Sequence, residues 1–108
     1  MKIAVATNDK TSVNREFARA LFFALYDDSG KTFDFLDNSE SQNAAHGAGI
    51  MAANTLKKNS VDAVLAFQLG PKALDGLKTN GIKIFRVNAG VALTEAVKMY
   101  EEGKLGEY

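Results

Sequence analysis

Residues 46–73, HGAGIMAANTLKKNSVDAVLAFQLGPKA, decide how this chain folds. His46-Gly47-Ala48-Gly49 leads into a helical pattern from Ile50 to Lys58. Gly49, Ala52, Ala53 and Leu56 lie on one side of it, and Asn54, Lys57 and Lys58 on the other. Such a helix is amphipathic, and its small residues let it approach a sheet closely. Ala63-Val64-Leu65-Ala66-Phe67 follows, apolar on both faces, as a strand inside a helix-covered sheet must be. Gln68-Leu69-Gly70-Pro71 then starts a second helix, with proline at the first position, where its missing N–H costs nothing. Ala73, Leu74 and Leu77 face inward, Lys72, Asp75 and Lys78 face water, and Asn80-Gly81 supplies a left-handed stop.

The flanking segments complete an α/β pattern. Lys2–Thr7 reads as a buried central strand, followed by the polar loop Asn8-Asp9-Lys10-Thr11-Ser12. Val13 and Phe17 are the large apolar residues available to anchor what comes next, and Arg15–Arg19 is either one helical turn or a loop. Leu21–Tyr26 and Thr32–Leu36 are strands joined through Asp27-Asp28-Ser29-Gly30-Lys31, a hairpin connection that makes them antiparallel. Asp37–Asn43 reads as a polar loop. Ile82–Val87 is the last strand, and Lys83 places it at an edge, where charge discourages strand addition. Asn88-Ala89-Gly90 opens a final helix with Leu93, Ala96, Val97 and Tyr100 buried, stopped by Gly103. Right-handed crossovers make the later strands parallel to the first, so residues 1–108 form one three-layer α/β/α domain.

Composition narrows the function. With 46% hydrophobic and 24% charged residues the chain is an ordinary globular domain. Thirteen basic and thirteen acidic side chains leave no net field to recruit nucleic acid or anionic lipid. The absence of cysteine excludes disulfides, thiolate ligands and a cysteine nucleophile, and it fits a reducing cytoplasm. No apolar run approaches the ~20 residues that a membrane span needs.

In an open α/β sheet, ligands sit beyond the carboxyl ends of the strands. Asn8-Asp9, Gln68-Leu69-Gly70-Pro71 and Asn88-Ala89-Gly90 should gather there, and a right-handed crossover brings the His46-Gly47-Ala48-Gly49 helix start to the same edge. Helix N-termini carry about half a positive charge each, and small residues let a ligand reach the backbone amides. A shared anion pocket is the sharper expectation; ordinary helix starts are the plainer one. Gly47-Ala48-Gly49 is no dinucleotide fingerprint, and there is no Gly-Lys-Ser/Thr phosphate loop. His46, the only histidine, could ligate a metal or contact an anion, but one histidine makes no closed metal site. Asp27-Asp28 is turn chemistry, and no serine sits in a Gly-x-Ser-x-Gly elbow.

Ala45-His46-Gly47-Ala48-Gly49, Gly70-Pro71-Lys72-Ala73, Leu77-Lys78-x-x-Gly81-Ile82-Lys83 and Glu95-Ala96-Val97-x-x-Tyr100-x-x-Gly103-x-Leu105 together resemble the dinitrogenase iron–molybdenum cofactor biosynthesis family. The resemblance implies a ribonuclease-H-like fold whose five-stranded mixed sheet has only its second strand antiparallel. It also implies a cytoplasmic, non-catalytic carrier of an iron–sulfur or iron–molybdenum–sulfur cluster, an anion that brings its own sulfides. Arg19, His46, Gly47, Gly49, Gln68 and Gly70 would then line the pocket, with Asn8 and Asn88 at its edges and His46 as the metal contact. The chain departs from the family where His-Phe-Gly-Arg-Ala is frequent: it has Glu16-Phe17-Ala18-Arg19-Ala20, a carboxylate in place of a favoured ligand. It also has Val91-Ala92-Leu93 where Gly-Thr-Val is common. The alternative reading is a small-anion-sensing or protein–protein interaction module. Nuclease activity, known elsewhere in this fold, needs a carboxylate in the first strand, and Ile3-Ala4-Val5-Ala6 has none.

Overall fold

The computed structural model describes residues 1–108. Its strands are β1 (Lys2–Thr7), β2 (Phe22–Asp27), β3 (Thr32–Asp37), β4 (Ala63–Ala66) and β5 (Lys83–Arg86). Its helices are α1 (Ser39–Gln42), α2 (Ala48–Lys58), α3 (Pro71–Thr79) and α4 (Leu93–Glu101). The strands form one sheet in the order β3-β2-β1-β4-β5. β1 is parallel to β4 and β4 to β5, whereas β2 is antiparallel to both β1 and β3. Only β2 therefore runs against the rest, the mixed sheet of a ribonuclease-H-like domain.

Side-chain alternation sorts the strands onto two cores. Ala4, Ala6, Phe23, Leu25, Val64, Ala66 and Ile84 face one side, where Ala52, Ala53 and Leu56 of α2 and Ala73 and Leu77 of α3 cover them. Ile3, Val5, Ala24, Tyr26, Ala63 and Leu65 face the other, under Leu93, Ala96 and Val97 of α4. The three layers follow directly from strands that are apolar on both faces. Val13 and Phe17, each 3% exposed, divide between these cores, so the long loop after β1 is pinned on both sides of the sheet.

Several local expectations change. The small-residue side of α2 does meet the sheet through Ala52 and Ala53, but Gly49 faces α3. A Cβ on Gly49 would lie 2.6 Å from the Ala73 nitrogen, and one on Gly76 would lie 2.9 Å from the Ala53 Cβ. In the hairpin Lys31 is left-handed (φ 54°). The Asp27 carboxylate accepts from the Ser29 amide at 3.0 Å and its hydroxyl at 2.7 Å, the turn chemistry expected of that aspartate. Within Asp37–Asn43, read as loop, Ser39–Gln42 forms a single helical turn, with the Asp37 carboxylate accepting from the Ser39 amide at 3.0 Å. Residues 15–19 are loop rather than helix. β5 does lie at the sheet edge, but the chain itself covers that edge. Glu107 bridges to Phe85, and the Arg86 amide donates to the Gly106 carbonyl at 2.9 Å.

Gly49→Ala should gain about 1 kcal/mol of helix propensity and lose more by pushing α2 off the Ala73 backbone. A net loss of about 1–2 kcal/mol, read as a lower urea midpoint at unchanged slope, is expected for overpacking of this kind. An unchanged or raised midpoint would show that the two helices are not in backbone contact.

Candidate functional site

Every parallel strand ends at one edge of the sheet, and the connections there are tied together by hydrogen bonds. After β1 the backbone turns through Lys10, which is left-handed (φ 65°), and the Asp9 carboxylate organises the turn. Asp9 Oδ1 accepts from the Thr11 amide at 2.9 Å and the Ser12 amide at 2.8 Å, while Oδ2 accepts from the Ser12 hydroxyl at 2.8 Å. These bonds favour the ionised form, the Thr11 amide most, and hold the Asp9 carboxyl far below the usual carboxylate range. The loop is then stitched to the β5–α4 connection: the Val13 amide donates to Val91 at 2.8 Å, and the Leu93 amide to Thr11 at 2.9 Å.

The other half of the loop is tied to the segment that leads into α2. Arg19 Nη1 donates to the carbonyls of Gln42 at 3.1 Å and Ala44 at 3.0 Å. The buried Asn38 amide group donates to Ala18 and Ala20, each at 2.9 Å. Asn8 Oδ1 accepts from the Leu21 amide at 2.8 Å and closes the loop at its base. The chain reaches α2 through Gly47, whose φ of 74° disfavours a side chain.

Between these parts lies an open groove of about 420 Å³. Ala18 and Arg19 line it from the first loop, Gly47 and Gly49 from the start of α2, and Gly70 and Lys72 from the start of α3. Neither helix has a side-chain cap at its N-terminus or an acidic residue in its first turn, whereas α1 and α4 carry Glu40 and Glu95 there. A cation in the first turn of a helix is unfavourable, yet Lys72 occupies that position in α3. The ion pairs of the chain are Met1–Asp28 and Lys104–Glu102, so neither Lys72 nor Arg19 is neutralised. Two positive helix ends and two exposed cations thus share one concavity. A dense anion with several acceptor atoms would satisfy all four.

Of the residues expected at the site, Arg19, Gly47, Gly49 and Gly70 line this groove. His46 is exposed, one residue outside it, and belongs to no group of three potential metal-ligating side chains. Gln68 is exposed on the β4–α3 connection. Asn8 is occupied in closing its loop, and Asn88 lines a separate groove with Met99 and Lys104. Glu16 is exposed and is not among the groove's lining residues, although Ala18, two residues on, is. Lys72 was read from sequence only as a water-facing helical residue. Its signal was there to find: a lysine directly after Pro71, where the helix dipole favours an acid. Gly49 now has a packing reason and Gly47 a conformational one. Gly70 has neither, since its φ of −71° suits any residue and a Cβ there would touch nothing within 4 Å.

Comparison with known proteins agrees with this architecture. The family model described as dinitrogenase iron-molybdenum cofactor matches residues 1–103. The orange protein of Desulfovibrio gigas, solved in its apo form, is 32% identical, with a TM-score of 0.94 over 99% of this chain and 92% of that one. A Thermotoga protein provisionally assigned to NifB is 28% identical, with a TM-score of 0.83 over 98% of this chain and 91% of that one. An uncharacterised protein of Methanocaldococcus jannaschii is 29% identical, over 100% of this chain and 92% of its own length.

The Asp9 turn makes the start of the loop after β1 sensitive to acid. A depressed folded-state value means that its contribution is present above the ordinary carboxylate range, about pH 4, and is lost as pH falls below it. Asp9→Asn should therefore speed amide exchange at Thr11 and Ser12 at neutral pH. The difference from wild type should shrink on acidification; a gap that widens instead would contradict the assignment.

Proposed function

The chain belongs to the dinitrogenase iron–molybdenum cofactor family, and from that premise we propose that it is a non-catalytic carrier of an anionic metal–sulfur cluster, iron–molybdenum–sulfur or iron–sulfur, or of a precursor of one. The observation that carries this reading is the groove in which the uncompensated N-termini of α2 and α3 meet Arg19 and Lys72. Backbone N–H groups at a helix start bind anions without any further device, and the cations add field strength.

The donor set fits a preformed cluster held without covalent attachment. There is no cysteine to supply thiolate, so a cargo that carries its own sulfide is held by charge and by N–H donors. Gly70 lines the groove without a side chain, and a Cβ there would stand in open space. His46 and Gln68, at the rim, would reach the cargo from outside, with Asn8 and Asn88 farther along the same sheet edge.

The test is anaerobic incubation with tetrathiomolybdate and, separately, with isolated iron–molybdenum cofactor, followed by gel filtration with metal analysis. Metal should travel with the protein, and more weakly as salt rises. Lys72→Glu should weaken retention at least tenfold, because a charge-assisted contact becomes a repulsion. Gly70→Val should block retention while changing stability by no more than about 0.5 kcal/mol, as surface substitutions do. If neither cargo comigrates with the wild-type protein, the carrier reading fails, and a stable protein partner in native mass spectra would favour the interaction-module reading instead.

A further inference from the structure

The β4–α3 connection, which delivers Gly70 to the groove, is held by the far end of the chain. The Leu69 amide donates to the Tyr108 hydroxyl at 2.9 Å, across 39 residues of sequence. Tyr108 is itself fixed twice: its amide donates to the Ile84 carbonyl at 3.0 Å, and its ring lies 4.3 Å from the Arg86 guanidinium carbon. Arg86 Nη1 in turn points at the Phe67 carbonyl at 3.5 Å, and the Arg15 guanidinium lies 5.3 Å from the Phe67 ring. Phe67, Leu69 and Gly70 belong to a short segment without secondary structure, and Leu69 immediately precedes the α3 N-cap. An amide at such a place must find a partner in the protein or in water.

We propose that Tyr108 is a positioning residue for the groove, and that the segment 106–108 thereby sets how firmly the Gly70 corner holds an anion. The proposal rests on the anion reading of the groove and adds a control point to it. Linkage makes the effect reciprocal: whatever peels residues 106–108 away from β5 loosens the Gly70 corner, and an anion in the groove tightens the 106–108 segment by the same factor. Lys104 and Leu105, which join α4 to this segment, lie outside helix and sheet, so the segment can detach without unwinding α4.

Tyr108→Phe removes the hydroxyl and keeps the ring, so the pairing of residues 106–108 with β5 and the contact with Arg86 survive. Hydrogen exchange, urea unfolding and tetrathiomolybdate binding are measured on the full chain. Loss of one partly buried hydrogen bond should raise exchange at residues 67–70 roughly tenfold and weaken tetrathiomolybdate by a similar factor, with the urea midpoint nearly unchanged. Unchanged exchange and affinity would overturn the proposal. So would a lower urea midpoint with faster exchange across all strands, because Tyr108 would then be a general stabiliser. Faster exchange confined to residues 67–70 in a protein whose wild type ignores tetrathiomolybdate would support the positioning role and overturn the anion reading alone.

Discussion

Backbone contact between α2 and α3 is the constraint on which the site depends. The Ala73 nitrogen comes so close to Gly49 that a Cβ there would lie at 2.6 Å, and Gly76 repeats the close approach one turn on against Ala53. Glycine at these points lets two helices lie closer than side chains would allow. Their N-termini then open side by side on one groove, which places two partial positive charges where a single helix would place one. The same contact keeps Ala52, Ala53, Ala73 and Leu77 within a single core over the sheet. Stability of that layer and geometry of the groove are therefore set by the same residues.

The chain is neutral overall, and each edge of the sheet carries both signs of charge. At the carboxyl edge of the parallel strands Arg19 and Lys72 line the groove with the helix N-termini, while Asp9 and Glu16 lie in the loop after β1. Asp28 and Glu101 line a groove with Tyr100 near the opposite edge, where Asp62 and Lys2 also lie. A formal sum of zero excludes a general polyanion-binding surface but says nothing against a local one. The field at the carboxyl edge is the sum of placed charges, and the fold places them.

Much of the architecture was legible because both-face apolar strands and amphipathic helices leave few alternatives. Lys2–Thr7 and the start of α3 at Pro71 fall where the pattern puts them, and Gly81 and Gly103 are left-handed as expected of helix stops. Phe23 is fully buried in the core, while Phe35 on β3 remains 39% exposed. What escaped was short or non-local. Four residues of α1 carry too little periodicity to register, and the bridge of Glu107 to Phe85 depends on a neighbour more than twenty residues away. Of the site, the glycines and Arg19 could be named from sequence, but their division of labour could not. Only distances reveal that Gly49 serves packing, Gly47 backbone conformation, and Gly70 neither.

The groove lies open to water, and Arg19 and Lys72 stand at its wall largely exposed. Exposed charges are screened over roughly 8 Å at physiological ionic strength. A guest held in this way is gripped by field and not by enclosure. It can arrive and leave without a lid, a reductant or a bond to break. Under the carrier reading, traffic through such a dock would be governed by competition: whichever acceptor offered the guest a stronger set of ligands would take it.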